Sequence, residues 1–171
     1  MAYNPDCDDD GARLCPSLGV MYYTGEGRSG VKAKSLPAYQ SACNTGDAKA
    51  CFNLGYLNED GEVGVFDKAK AMALYKSACD AGFGRACSNL GNMYLLGVGT
   101  PVDKRQAEAL FGKACDGGDA GGCFNQGAMY STNDGVGVDA QRTRQLFEKA
   151  AMIDPVDANL KARIAVALIG Q

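Results

Sequence analysis

The 171-residue chain contains no histidine and no tryptophan. Without imidazole there is no Ser-His-Asp or Cys-His catalysis, and no zinc site that needs a histidine ligand. Without indole the core falls to Leu, Ala, Met, Tyr and Phe. No apolar run approaches the ~18–20 residues a membrane span requires, so membrane insertion is not expected. Basic charge is not in excess either: 17 Lys and Arg are interspersed with 20 Asp and Glu, for a net charge of −3. Nucleic acid binding, which needs clustered cations, is therefore not expected. The opening "MAYNPDCDDD" lacks the apolar core of a signal peptide and reads as the start of a mature chain or an excised domain.

What the chain has in plenty is glycine, at 23 residues, and cysteine, at eight. Both are periodic. The cysteines form two series, Cys7, Cys43, Cys79, Cys115 and Cys15, Cys51, Cys87, Cys123, each with a step of 36 residues. The same step links Gly19, Gly55, Gly91 and Gly127, then Tyr39, Tyr75, Phe111 and Phe147, and also Ala42, Ala78, Ala114 and Ala150. Asp67, Asp103 and Asp139 keep it too. Several ladders sharing one step mark a tandem repeat. The expected organisation is a lead-in over 1–10, repeats over 11–46, 47–82, 83–118 and 119–154, and a capping helix over 155–171.

Within a unit two stretches read as helices, and period-2 strand patterns are absent. "DKAKAMALYKSAC" (Asp67 to Cys79) places Ala71, Leu74, Tyr75 and Ala78 on one helical face. Asp67 suits an N-cap, and "DKRQ" from Asp103 reads as a capping box. "DAKACFNLGYLNED" places Ala50, Leu54 and Leu57 on one face, and glycines such as Gly61, Gly97 and Gly99 stop such helices. Each repeat is thus a helical hairpin. Gly55 and its counterparts fall inside the first helix, where glycine costs roughly 1 kcal/mol relative to alanine. Its return at fixed spacing predicts close backbone approach by a neighbouring helix. Pro37 is expected to delay the start of the second helix of the first repeat.

Two cysteines eight positions apart stand about 12 Å apart in a helix and about 26 Å apart in a strand. A disulfide needs Cα atoms within about 4.4–6.8 Å, so the chain must fold back between them. "NTGDAKA", between Cys43 and Cys51, supplies the Gly and Asp for such a turn. The expected pairs are Cys7–Cys15, Cys43–Cys51, Cys79–Cys87 and Cys115–Cys123. Zinc ligation fits poorly, because zinc pairs cysteines at C-x2–4-C spacing, and the redox motif C-x-x-C never occurs. Buried free thiols in a cytosolic protein are the remaining alternative. Structural disulfides imply an oxidising compartment: periplasmic, secreted, or an intermembrane space. No metal and no cofactor are expected.

The stretches "CFNLGYL", "SNLGNMYLLGVG", "ALYKSACDAG" and "LFEKAAMIDP" resemble Sel1-like repeats, relatives of the tetratricopeptide repeat. The C-x7-C addition resembles the cysteine-rich repeat proteins known from Helicobacter, whose paired cysteines link adjacent helices. The resemblance implies an all-α fold, an α/α solenoid of helical hairpins in a right-handed superhelix. Asn58 departs from it, standing where Tyr22, Tyr94 and Tyr130 stand in the other repeats. The pattern also breaks at Ala151, Asn159 and Arg163, where a further repeat would carry its cysteine pair and packing glycine. "DPVDANLKARIAVALIGQ" therefore reads as a cap.

The resemblance further implies a monomeric protein–protein interaction scaffold that takes a peptide or protein on its concave face. The candidate ligand-binding residues lie on the first helices: Asn53, Asn89 and Asn125, with Phe52, Phe124, Tyr56 and Asn92 beside them. In the other reading these asparagines cap or brace the turn between repeats. Weak β-lactam binding or hydrolysis, described for similar cysteine-rich repeat proteins, is a second expectation. It rests on Ser29 and Lys32 of "SGVK" as an S-x-x-K element, with Tyr56 to Asn58 as a second element, and lacks the third. A spacer role within a larger protein is the third.

Overall fold

The computed structural model describes residues 32–60, 67–132, 135–157, 160–161 and 163–164. Among the described residues there are seven helices and no strand. The chain divides into two compact units, Met1–Ala81 and Gly82–Gln171. The first holds α1 (Lys32–Asn44), α2 (Ala48–Asp60) and α3 (Lys68–Asp80). The second holds α4 (Gly84–Leu96), α5 (Lys104–Asp116), α6 (Ala120–Thr132) and α7 (Ala140–Ile153). Within each unit consecutive helices pack as hairpins, and in the second α4 also lies against α6.

The second helices α3, α5 and α7 each start at an aspartate. Asp67, Asp103 and Asp139 are extended residues whose side chains accept from the backbone amides of Lys70, Gln106 and Arg142 at 2.9–3.0 Å. Such caps are worth about 1 kcal/mol each. The capping-box expectation at Asp103 is half right. The Asp103 amide, which the Gln106 side chain would have taken, donates instead to the Tyr94 carbonyl at 2.9 Å. The same closure recurs from Asp67 to Asn58 and from Asp139 to Tyr130, tying the end of each first helix to the start of the next.

The expectation for Pro37 is overturned. α1 begins at Lys32 and runs through Pro37. Proline there forfeits one helical hydrogen bond. Its ring lies on the exposed side of the helix, while Tyr39 and Ala42, both 1% exposed, are buried with Leu54 and Leu57 of α2. That burial holds the turn in place.

The glycine ladder meets rings. A Cβ on Gly55 would stand 2.9 Å from the Tyr75 ring, one on Gly91 2.8 Å from Phe111, and one on Gly127 2.8 Å from Phe147. The expected close approach is real, but the partner is the aromatic of the following second helix rather than its backbone. Those aromatics are fully buried, which contributes about 2–3 kcal/mol each. Gly19 lies outside the described residues.

The turns between hairpins bring the cysteines together. After α1, Gly46 takes φ 93° and the Asp47 amide returns to the Ala42 carbonyl at 3.0 Å. After α5, Gly118 takes φ 79° and the Asp119 amide returns to Ala114 at 2.9 Å. A left-handed glycine reverses the chain in each. Cys43 and Cys51 are bonded with Cα atoms 4.6 Å apart, and Cys115 and Cys123 with Cα atoms 4.4 Å apart. Cys79 in the first unit and Cys87 in the second each take part in a disulfide as well. Cys7 and Cys15 lie outside the described residues. Closing a loop this short contributes on the order of 2.5 kcal/mol, less where the turn is already ordered.

Candidate functional site

The candidate asparagines stand at one register on α2, α4 and α6, all half-buried. Asn53 hydrogen-bonds to the hydroxyl of Tyr39. Burial of that phenol pushes its pKa up to about 12, and the bond from Asn53 pulls the other way. In the second unit the residue in the place of Tyr39 is Phe111, which has no hydroxyl. Asn125 is accordingly turned outward along the helices, and its Nδ2 donates to Asn92 Oδ1 at 3.4 Å. Asn89, one turn before Asn92 on α4, completes the polar row on this side.

The aromatic candidates differ more. Tyr56 is 38% exposed on α2. Phe52 is half-buried with its ring 5.7 Å from that of Tyr75. Phe124 is only 7% exposed. It stacks on Phe147 at 5.2 Å, and the Arg163 guanidinium lies over it at 4.1 Å. Arg163 stands where an additional repeat would have its packing glycine. Leu160 and Ile164 join the same cluster, so these two residues lie against this end of the second unit.

At the start of α6, Asp119 does two jobs. Its Oδ2 accepts from the Gly122 amide at 2.9 Å and from the hydroxyl of Ser88 on α4. This contact, the Asn92–Asn125 bond and the glycine at 122 hold the two first helices side by side. A Cβ at Gly122 would strike Ala114, 2.4 Å away.

Two features were not anticipated from the residue pattern. One is a polar cluster in the second unit. Glu108 Oε1 accepts from Gln126 at 2.7 Å and from the Tyr130 hydroxyl at 2.9 Å, and Arg142 approaches it at 3.9 Å. Arg142 also lies 4.6 Å over the Tyr130 ring. Burial, then Glu108, pushes the Tyr130 phenol up. The other is a cavity of about 240 Å³ in the first unit, lined by Leu36, Pro37, Gln40, Leu54, Asn58 and Lys70. The signal that pointed to it was the replacement of tyrosine by Asn58.

Of the S-x-x-K reading, Ser29 lies outside the described residues. Tyr56 is exposed on the surface of α2, whereas Asn58 is fully buried in the same helix.

The Sel1 repeat model matches residues 17–36, 48–83, 84–119 and 120–154, most of the chain. The chain belongs to the Sel1 repeat family. Its fold is the all-α solenoid class of that family, and Sel1 repeat proteins are in general protein–protein interaction scaffolds rather than enzymes. Among solved structures, the chain is 26% identical to a Sel1 repeat protein from Oxalobacter formigenes, with a TM-score of 0.72 over 81% of this chain and 55% of that one. It is 27% identical to Helicobacter pylori cysteine-rich protein B, with a TM-score of 0.60 over 77% of this chain and 97% of that one. A protective antigen of uropathogenic Escherichia coli displaying an SLR fold is 22% identical, with a TM-score of 0.77 over 91% of this chain and 33% of that one. This chain therefore spans about half of the first relative and a third of the antigen. No curated protein matched. The oxidised cysteines and the Helicobacter neighbour suggest an oxidising, extracytoplasmic compartment. No described helix is long and apolar enough to cross a membrane.

Proposed function

We propose that this Sel1 protein is a periplasmic or secreted scaffold that binds an extended segment of a protein partner along its first helices. The segment would meet Asn89, Asn92 and Asn125 in the second unit. In the first unit Phe52, Asn53 and Tyr56 would present the corresponding surface. The observation that carries the reading is the Asn92–Asn125 pair. Side-chain amides on adjacent first helices can donate and accept together, which suits the alternating groups of a peptide backbone. Asn53, which already bonds Tyr39, serves first as a brace and only second as a contact.

The test is affinity capture from the extracytoplasmic fraction of the source, with the wild-type chain and Asn92→Ala/Asn125→Ala as paired baits. Mass spectrometry should find one partner held by the wild type and held about fivefold or more weakly by the variant, in keeping with lost hydrogen bonds. Equal recovery on both baits would remove these residues from the interface. A wild type that holds nothing would favour the spacer role.

A further inference from the structure

Asn58 is 0% exposed, and its amide is only half used. Nδ2 donates to the Leu54 carbonyl at 2.7 Å, while Oδ1 has no hydrogen-bond partner. A buried acceptor left in that state is unfavourable, and any donor brought to it is rewarded by more than an ordinary surface hydrogen bond. Asn58 also lines the cavity of about 240 Å³ described above.

The second unit shows what this position is shaped for. Adding 72 residues to each lining residue gives Glu108, Ala109, Gly112, Gln126, Tyr130 and Arg142, and the helices of the two units correspond at the same offset. That set is the polar cluster around Tyr130. The phenol there is flanked by Gln126, hydrogen-bonded by its hydroxyl, and covered by the Arg142 guanidinium. In the first unit Asn58 replaces the tyrosine, Leu54 and Leu36 replace Gln126 and Glu108, and Lys70 replaces Arg142. The walls are apolar at Leu36, Pro37 and Leu54, Gln40 stands in place of Gly112, a cation remains at the rim, and the ring is gone.

We infer that this cavity is a binding site for a phenol ring, supplied as a tyrosine side chain of a protein partner. The ring would lie between Leu36, Pro37 and Leu54. Its hydroxyl would donate to Asn58 Oδ1, and the Lys70 ammonium would take the place over the ring that Arg142 takes over Tyr130. The volume is below the usual range for drug-sized ligands and suits a single ring. The identification of the phenol as tyrosine rests on the scaffold reading; the cavity and its chemistry do not, because they lie apart from the asparagine row.

The test uses the full chain and three probes: 4-methylphenol, toluene and N-acetyl-tyrosinamide. Amide chemical-shift mapping should show 4-methylphenol shifting Gln40, Leu54 and Asn58 at millimolar concentration, and toluene binding about tenfold more weakly for want of the hydroxyl. N-acetyl-tyrosinamide should shift the same residues. Asn58→Tyr, which supplies the ring from within as at Tyr130, should abolish binding. Leu36→Trp, which narrows the cavity from α1, should abolish it independently if the first variant folds poorly. Absence of shifts at these residues, toluene binding as well as 4-methylphenol, or unchanged binding in either folded variant would overturn the site. Binding of 4-methylphenol without N-acetyl-tyrosinamide would overturn the tyrosine assignment, whatever the outcome of the capture experiment.

Discussion

Replacing Gly91 by alanine adds one methyl group in the middle of α4, where helix propensity alone would favour it by roughly 1 kcal/mol. The new Cβ would stand 2.8 Å from one ring carbon of Phe111, 2.9 Å from a second and 3.3 Å from a third. Phe111 is 0% exposed and cannot swing into solvent to make room. Overpacking of this kind costs about 1–3 kcal/mol, with the upper half of the range apt for a clash against a buried ring. The net expectation is a loss of about 1–2 kcal/mol, a fall of about 2–8 °C in melting temperature for a chain of this size. Circular dichroism melts under non-reducing conditions would read it. Gly121→Ala is the control, because a Cβ there meets only Asp119, with its nearest atom 3.3 Å away, and helix propensity should then leave stability unchanged or raise it by up to about 1 kcal/mol. In a double-mutant cycle Gly91→Ala and Phe111→Leu should couple by about 1 kcal/mol, the smaller side chain relieving the clash. A Gly91→Ala protein as stable as the wild type would refute the idea that the glycine is there to seat the ring.

Non-reducing peptide mapping should recover Cys43–Cys51 and Cys115–Cys123, with Cys79–Cys87 and Cys7–Cys15 following the same local rule; any long-range pair counts against it. Asp139→Ala should cost about 1 kcal/mol in a urea melt through its lost cap, whereas Asp119→Ala should cost about 2–3 kcal/mol because Ser88 also loses its partner. The contribution of Tyr39 to stability should be full below pH ~10 and be lost as pH rises from there through about 12. The fold holds the Tyr39 phenol neutral, so stability is lost as the unfolded chain ionises first. Tyr130 acts in the same direction. Tyr39→Phe should remove part of this alkaline loss, and an unchanged pH profile would show that the buried phenol is not its source.

Much of the fold was legible because the repeat states it several times. The step that aligns the cysteines also aligns the capping aspartates, the glycines and the aromatics, so local turn chemistry sufficed to pair Cys43 with Cys51. What the pattern hid depends on contacts between helices. Gly55 and Tyr75 are 20 positions apart, and only the hairpin crossing shows that the glycine seats a ring. Pro37 was misjudged because its local cost is visible in the chain and the compensating burial of Tyr39 is not. The asparagine row looked uniform, yet one hydroxyl decides its roles: Tyr39 engages Asn53, and Phe111 leaves Asn125 to meet Asn92. The stacking of Phe147 on Phe124 and the Arg163 guanidinium over it likewise depend on contacts that the repeat does not state.

Hydrogen–deuterium exchange on the complex with the captured partner locates the surface that the partner covers. Binding through the first helices gives new protection in α4 and α6, centred on Asn89, Asn92 and Asn125, and in α2 around Asn53 and Tyr56. Protection confined to the second helices, α3, α5 and α7, would contradict it.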